Sequence, residues 1–411
     1  MLTQRLATIV KIRKMYKRSA CWLALILVPA ALFAQQNDHP YFFSGDIKTN
    51  AIEINKRILF KEYPVPLLYT YAGNYALALQ ASNKGTALQE LYKKADTAKL
   101  LQYRTTNAKD YILKQAANSR IIIINEAHHL PSHRVFTISL LKELRQMGFS
   151  YLSIEGLRRK KADSVNRRGY PLLDDVDYFD PQFGNLIREG LALQYKVSGH
   201  DTADKTVNHD PTLFAQRRDS LGAVNIKKLL DADKNARIVI HCGYSHGDEC
   251  PLTDIGKRFA LQVKELTGID PFTVNQTQFM ENDLAVIHPL VYLKKPGQPV
   301  AVKFEKGNFA TGCVDVNICH PATKFTRGRP DWLLSKGKRY FSPARYLLKD
   351  KTYLIQAYRK GEPIENAIPV DVVEVEGRQS KTALILSPGA YHLLIREKGG
   401  GERVVPVTVK N

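Results

Sequence analysis

The 411-residue chain is 44% hydrophobic and 24% charged, ordinary values for a globular protein that argue against a disordered chain. It is long enough for a large domain beside a smaller one, with a full core. Its formal net charge of +20 invites a nucleic-acid reading, yet the lysines and arginines are spread along the chain rather than run together.

In chain order, the first element is a leader. Arg5, Lys11, Arg13, Lys14, Lys17 and Arg18 form a basic stretch with no acid, Cys21 through Phe33 is apolar, and Gln35 opens a polar segment. These are the parts of a secretory signal peptide over residues 1–34, cut after Ala34, although Leu32 stands where a small residue is preferred. The apolar run is short for a membrane span, and Cys21 precedes it, which argues against a lipoprotein. Losing the leader's six basic residues takes the formal charge from +20 to +14. The expectation is an exported protein, periplasmic or secreted, with no nucleic-acid partner and a surface that favours anionic envelope components.

Export permits disulfides. Cys242, Cys250, Cys313 and Cys319 remain in the mature chain, and the closeness of 242 to 250 and of 313 to 319 suggests local bridges among three connectivities. The C-x₂-C pairs of a structural zinc site are absent.

Residues 47–118 read as mostly helical, with recurring leucines among Ala, Lys and Gln. Ile121 to Ile124 form a β-branched run expected of a strand buried on both faces. A helix from Arg134 to Met147 and a strand at Tyr151–Ile154 complete a β-α-β unit, which requires parallel strands. The alternation continues with a helix at Pro181–Glu189, a strand at Leu193–Val197, a long helix over Asp210–Asp231 and a strand at Arg237–His241. A helix at Asp254–Leu266 and a strand at Phe272–Asn275 follow. The pattern predicts an α/β domain over 35–285, a mainly parallel sheet flanked by helices. Beyond 285, short runs separated by Gly, Pro and Asn at Lys351–Arg359, Ile368–Val375, Thr382–Leu386, Tyr391–Arg396 and Val404–Val409 predict a small antiparallel β domain over 286–411.

Ligands of open parallel sheets bind beyond the carboxyl ends of the strands. There the sequence places Glu126, His128 and His129 after the first strand, Glu155 after the second, His200 and Asp201 after the third, and His241 and His246 at the fourth. Seven of the eleven histidines lie between 128 and 246. Such a set can bind a divalent metal and activate its water, can act as a metal-free imidazole base held by a carboxylate, or can ligate haem iron. The residue types leave all three open. His241 reads equally as a core histidine, His133 as part of a helix start, and Arg218 with Asp219 as a structural pair on one helix.

The stretch NEAHH at 125–129, with EGL at 155–157, RRDSLGAVNIKKLL at 217–230 and GYSH at 243–246, resembles the superfamily joining erythromycin esterases, ChaN-type haem-binding lipoproteins and TraB/Tiki proteins. The similarity spans about residues 118–280. It implies catalytic roles for Glu126, His129, Glu155 and His246, with His129 as general base oriented by Glu126 and Glu155. In the metal-binding branch the ligands are His128, His129, Glu155 and His246, and the metal is zinc or manganese, with haem the lesser alternative. Asn125 replaces the leading glycine, and His241 precedes His246 at a spacing unlike that of the esterases' late histidines. The expected function is an exported hydrolase acting on an ester, amide or lactone-like bond of a small molecule or peptide. The rival readings are a non-catalytic haem- or metal-binding envelope protein and an interaction protein whose β domain contacts envelope glycan or protein.

Overall fold

A computed structural model describes residues 40–49, 65–82, 104–202, 210–252, 256–281, 298–303, 313–335, 337–348 and 350–410. The expected leader lies outside them, as does much of the helical reading over 47–118. Among the described residues no helix is long and apolar enough to cross a membrane.

Strand β1 (Arg104–Asn107) opens the sheet, followed by β2 (Ile121–Glu126), β3 (Tyr151–Ile154), β4 (Lys196–Ser198) and β5 (Ile238–Gly243). The short hairpin β6 (Pro251–Leu252) and β7 (Gly256–Lys257) precedes β8 (Phe272–Asn275), β9 (Val300–Lys303) and β10 (Val316–Cys319). Eight of these strands form one sheet in the order β1-β9-β10-β8-β2-β5-β3-β4. From β10 to β4 every pairing is parallel, whereas β9 runs antiparallel to both β1 and β10.

Period-two alternation explains how β2 seats helices on both faces. Ile122 and Ile124 join one core with Phe136, Leu140, Leu141 and Leu144 of helix α1 (Pro131–Gln146) and Leu186 and Ile187 of α2 (Pro181–Ala192). Ile121 and Ile123 face the other way, onto Ala223, Ile226 and Leu230 of α3 (Pro211–Ala232) and Phe259, Ala260 and Val263 of α4 (Phe259–Thr267). Burying four isoleucines of one strand contributes roughly 6–12 kcal/mol before chain entropy is counted. Proline in the first turn pre-sets the backbone of α1, α2 and α3. The side chains of Asp180 and Asp210 cap α2 and α3 by accepting backbone N–H groups.

The sheet crosses the expected boundary at 285, because β9 and β10 return to pair beside β8. Both are only four residues long, and such short apolar runs give little signal in a sequence. Small antiparallel sheets occupy the chain after β10. They are the pair β11 (Phe325–Thr326) and β12 (Arg329–Pro330), the pair β13 (Arg339–Phe341) and β16 (Leu384–Leu386), and a four-stranded sheet. The last is ordered β15 (Asp371–Glu376), β14 (Thr352–Arg359), β17 (Gly389–Glu397), β18 (Glu402–Val409). It is clamped to α2 by Arg188, whose Nε and Nη2 donate to Glu362 at 3.0 and 2.6 Å, and by Asn185 donating to Val370 O at 2.9 Å.

The expected local bridges do not form. Cys250 pairs with Cys313, 63 residues away, with their Cα atoms 5.0 Å apart, while Cys242 and Cys319 are free and buried. Cys242 lies within β5 and Cys319 within β10, each packed into the sheet core. Among the described cysteines, the two that lie outside the strands are the ones that meet.

Candidate functional site

Parallel register aligns the strand ends. Asn125 and Glu126 of β2 sit opposite Cys242 and Gly243 of β5, and Ile154 of β3 opposite His241. The backbone therefore delivers Glu126, Glu155, His241 and the turn Tyr244–Gly247 to one edge. Both glutamates are buried there, at 1% and 3% exposure.

Glu126 anchors three groups. Its Oε1 accepts from Arg134 Nη2 at 2.6 Å and from His128 Nδ1 at 2.8 Å, and its Oε2 accepts from His241 Nε2 at 2.7 Å. Burial would raise this carboxyl, but Arg134 and His241, with the hydrogen bonds from His128 and His241, hold it well below the usual range. Arg134, fully buried, also reaches Asp180 at 3.1 Å.

Glu155 has a parallel arrangement. It accepts from Arg218 and from the backbone N–H of Gly243. Burial again pushes its carboxyl up, and Arg218, His246, His128 and the Gly243 N–H outweigh it, so the group stays well below its ordinary value. Arg218 extends to Asp201 at 2.9 Å, and Asp201 accepts the Gly156 N–H at 3.1 Å. His246 gives its Nδ1 hydrogen to Asp219 at 2.5 Å, while Arg258 Nη1 lies 2.9 Å from the other Asp219 oxygen. Arg258 Nη2 also stands 3.0 Å from His246 Nδ1. One nitrogen cannot both donate to Asp219 and accept from Arg258, and the shorter contact to the carboxylate decides the assignment. Burial lowers the His246 imidazole, but Glu155 and Asp219 more than compensate and raise it above its usual value.

The two imidazoles converge. His128 Nε2 lies 3.9 Å and His246 Nε2 3.7 Å from the same atom, Glu155 Oε1. Tyr178 stacks on the His128 ring at 4.4 Å and donates its hydroxyl to Nε2 at 3.0 Å. Gly243 makes room for this packing, since a Cβ there would overlap the His128 ring. Gly156, at φ +81°, likewise leaves room for the Tyr178 ring.

Of the expected residues, the structure brings together Glu126, His128, Glu155 and His246 but sets His129 aside. His129 forms no hydrogen bond with Glu126 or Glu155. Its Nδ1 lies 3.3 Å from Tyr244 Oη, and its Nε2 is buried without a partner. Burial, with His128 and Arg134 nearby, lowers its pKa to about 4. The reason is local geometry: Arg134 binds both Glu126 Oε1 and the His128 carbonyl, at 2.6 and 3.0 Å, which turns the 128 side chain toward Glu126. The orientation expected for His129 belongs to His128.

The expected metal set does not fit either. Among the described residues no three His, Cys, Asp or Glu side chains are arranged to hold a metal ion. Glu155 is committed to a guanidinium and a backbone N–H, and His129 faces Tyr244. A cation at Glu155 would also meet the Arg218 charge.

Sequence reasoning left Arg134, Tyr178, Asp180 and Arg258 without a role in the site. Arg218 and Asp219, read as a pair on one helix, instead serve Glu155 and His246 respectively. Adjacent helical residues point about 100° apart, which is the signal that separates them. His241, read evenly as core or site, is both buried and bonded to Glu126.

Fold and site together define a mainly parallel α/β protein with His128, His241 and His246 held by carboxylates at the carboxyl edge of its sheet. No family model matches the chain, and no curated protein matches it. Among solved structures it is similar to the type III effector HopBA1, with a TM-score of 0.35 and 12% identity over 53% of this chain and 96% of that one. It is also similar to a structure described as bacterial protein toxins, with a TM-score of 0.31 and 12% identity over 56% of this chain and 46% of that one. Neither likeness assigns an activity.

Proposed function

We propose that the protein is an exported hydrolase of an ester, amide or lactone-like bond, with His128 as general base and His246 as its acidic partner. The convergence of both Nε2 atoms on Glu155 Oε1 carries this reading. Glu126 takes the His128 Nδ1 hydrogen and so leaves the Nε2 lone pair for chemistry. His246, raised by Glu155 and Asp219, holds its proton to higher pH than a free imidazole and presents Nε2–H.

Water in place of the Tyr178 hydroxyl loses a proton to His128 Nε2 as its oxygen attacks the carbonyl carbon. The oxyanion forms against His246 Nε2–H and Arg218, donors already fixed by Asp219 and by Glu155 with Asp201. The proton on His128 then passes to the leaving oxygen or nitrogen as its bond to carbon breaks. The order of motifs shared with erythromycin esterases supports the same reaction class, with His128 in place of His129. The long-range Cys250–Cys313 bridge supports export to an oxidising compartment.

The test is hydrolysis of an aryl ester, an anilide and a lactone by the purified chain. Turnover of one of them that Glu155→Gln abolishes is the expected result. Failure on all three, or full activity in Glu155→Gln, sinks the proposal.

A further inference from the structure

We propose a second site, remote from the imidazole pair, that binds an oligoanion carrying several phosphoryl groups. It is a cavity of about 850 Å³ between the helix Ala162–Arg168, the end of α2, the start of β4 and the end of β14. That volume falls in the range of small-molecule sites.

Its charge argues for the ligand. Arg167, Lys196 and Arg359 line it, all exposed and each on a different element. Neither Arg167 nor Arg359 makes an ion pair or a side-chain hydrogen bond among the described residues, and Lys196 has only the Tyr151 ring, 5.7 Å from Nζ. Asp163 is the one acid in the lining. Three cations held around one cavity without carboxylate partners repel one another and raise the local concentration of anions.

A built residue stands in the same wall. Arg188 is 2% exposed; its Nε and Nη2 are taken by Glu362, and its buried Nη1 has no partner. Guanidinium groups match phosphate oxygens in pairs, and cations contributed by separate elements suit a ligand with several charges better than a monoanion. Because Arg359 belongs to the C-terminal sheet and Arg188 clamps that sheet to α2, the ligand would bridge the sheet and the α/β domain.

Calorimetric titration of the full chain with sodium tripolyphosphate, in about 150 mM salt to screen diffuse attraction, tests this. Saturable one-to-one binding is expected, weakened about tenfold or more in the double variant Arg167→Ser, Arg359→Ser, since each charged hydrogen bond supports that much. The control double variant Lys142→Ser, Lys228→Ser, which removes equal charge elsewhere, should bind as the parent does. Should the first variant fail to fold by circular dichroism, Lys196→Ser replaces it. Vesicles of phosphatidylcholine with phosphatidylinositol bisphosphate identify the source: arginine-dependent co-sedimentation marks a lipid headgroup, and tripolyphosphate binding without it marks a free solute. No binding, or equal weakening in both double variants, overturns the site.

Discussion

Replacing Glu126 by Gln isolates the charge that organises the site. The amide keeps the shape and one acceptor oxygen, so Arg134 and His128 retain a partner, but the negative charge between Arg134 and His241 is lost. Breaking a buried ion pair costs about 3–5 kcal/mol. Arg134 still has Asp180, whose carboxyl burial raises to about 6 despite Arg134, so it is ionised at pH 7. The expected loss is therefore near the lower end, about 3 kcal/mol, or a fall in Tm of about 5 °C or more for a chain of this size. Because Glu126 is held below its unfolded value of about 4.3, its contribution is present above that pH and fades as pH falls through the folded value. Denaturant unfolding of parent and variant at pH 7, 5 and 3.5 reads this directly. The gap should be similar at the first two and narrower at the third. An equal midpoint at pH 7, or a gap that widens on acidification, refutes the reasoning.

His246 carries the opposite sign. Its raised value means that the stability from its pairing is full below about pH 6.5, the unfolded value, and is lost as pH rises through the folded one. Asp219→Asn should lower the imidazole titration followed by NMR and move the alkaline limb of any pH–rate profile to lower pH; an unchanged titration contradicts the pairing. A chain spanning residues 35–411, denatured without reduction, should show two reactive thiols, Cys242 and Cys319. Reducing the Cys250–Cys313 bridge should cost about 4 kcal/mol in the chain-entropy description of a 63-residue loop, measured as a shift in the unfolding midpoint. Asp180→Asn should remove a fall in stability between about pH 4 and 6, because a carboxyl raised to about 6 makes the fold less stable as it ionises. An unaltered pH slope sinks that assignment.

What could be read from the residues alone follows from how local each signal is. The isoleucines of β2 and the prolines that open α1, α2 and α3 carry their instruction in a few neighbouring positions, and those elements stand within three residues of where periodicity puts them. Strand order also placed Glu126, Glu155 and His246 at one edge. The choice between His128 and His129 depends on Arg134 reaching back to the 128 carbonyl and on Gly243 leaving room for a ring from another strand. Neither is visible in NEAHH itself. Asn125 shows the same limit. It stands where the expected resemblance calls for glycine, yet it is buried, donates to Tyr244 O and Asn275 Oδ1 at 2.8 Å each, and accepts the Gln276 N–H at 2.6 Å. It ties three strand ends together, a role set by β8, about 150 residues away. The cysteine pairing and the return of β9 and β10 to the sheet are likewise long-range outcomes of topology.

The most direct test of the site is a side-by-side measurement of kcat/KM for His128→Ala and His129→Ala on an ester that the parent hydrolyses. Removing a general base lowers the rate by about 10²–10⁴-fold, and that loss is expected at His128, which, unlike His129, is held by Glu126 and faces Glu155. His129→Ala should stay within about threefold of the parent, the range of a residue outside the chemistry. Full activity in His128→Ala, or the larger loss at His129, would contradict the account.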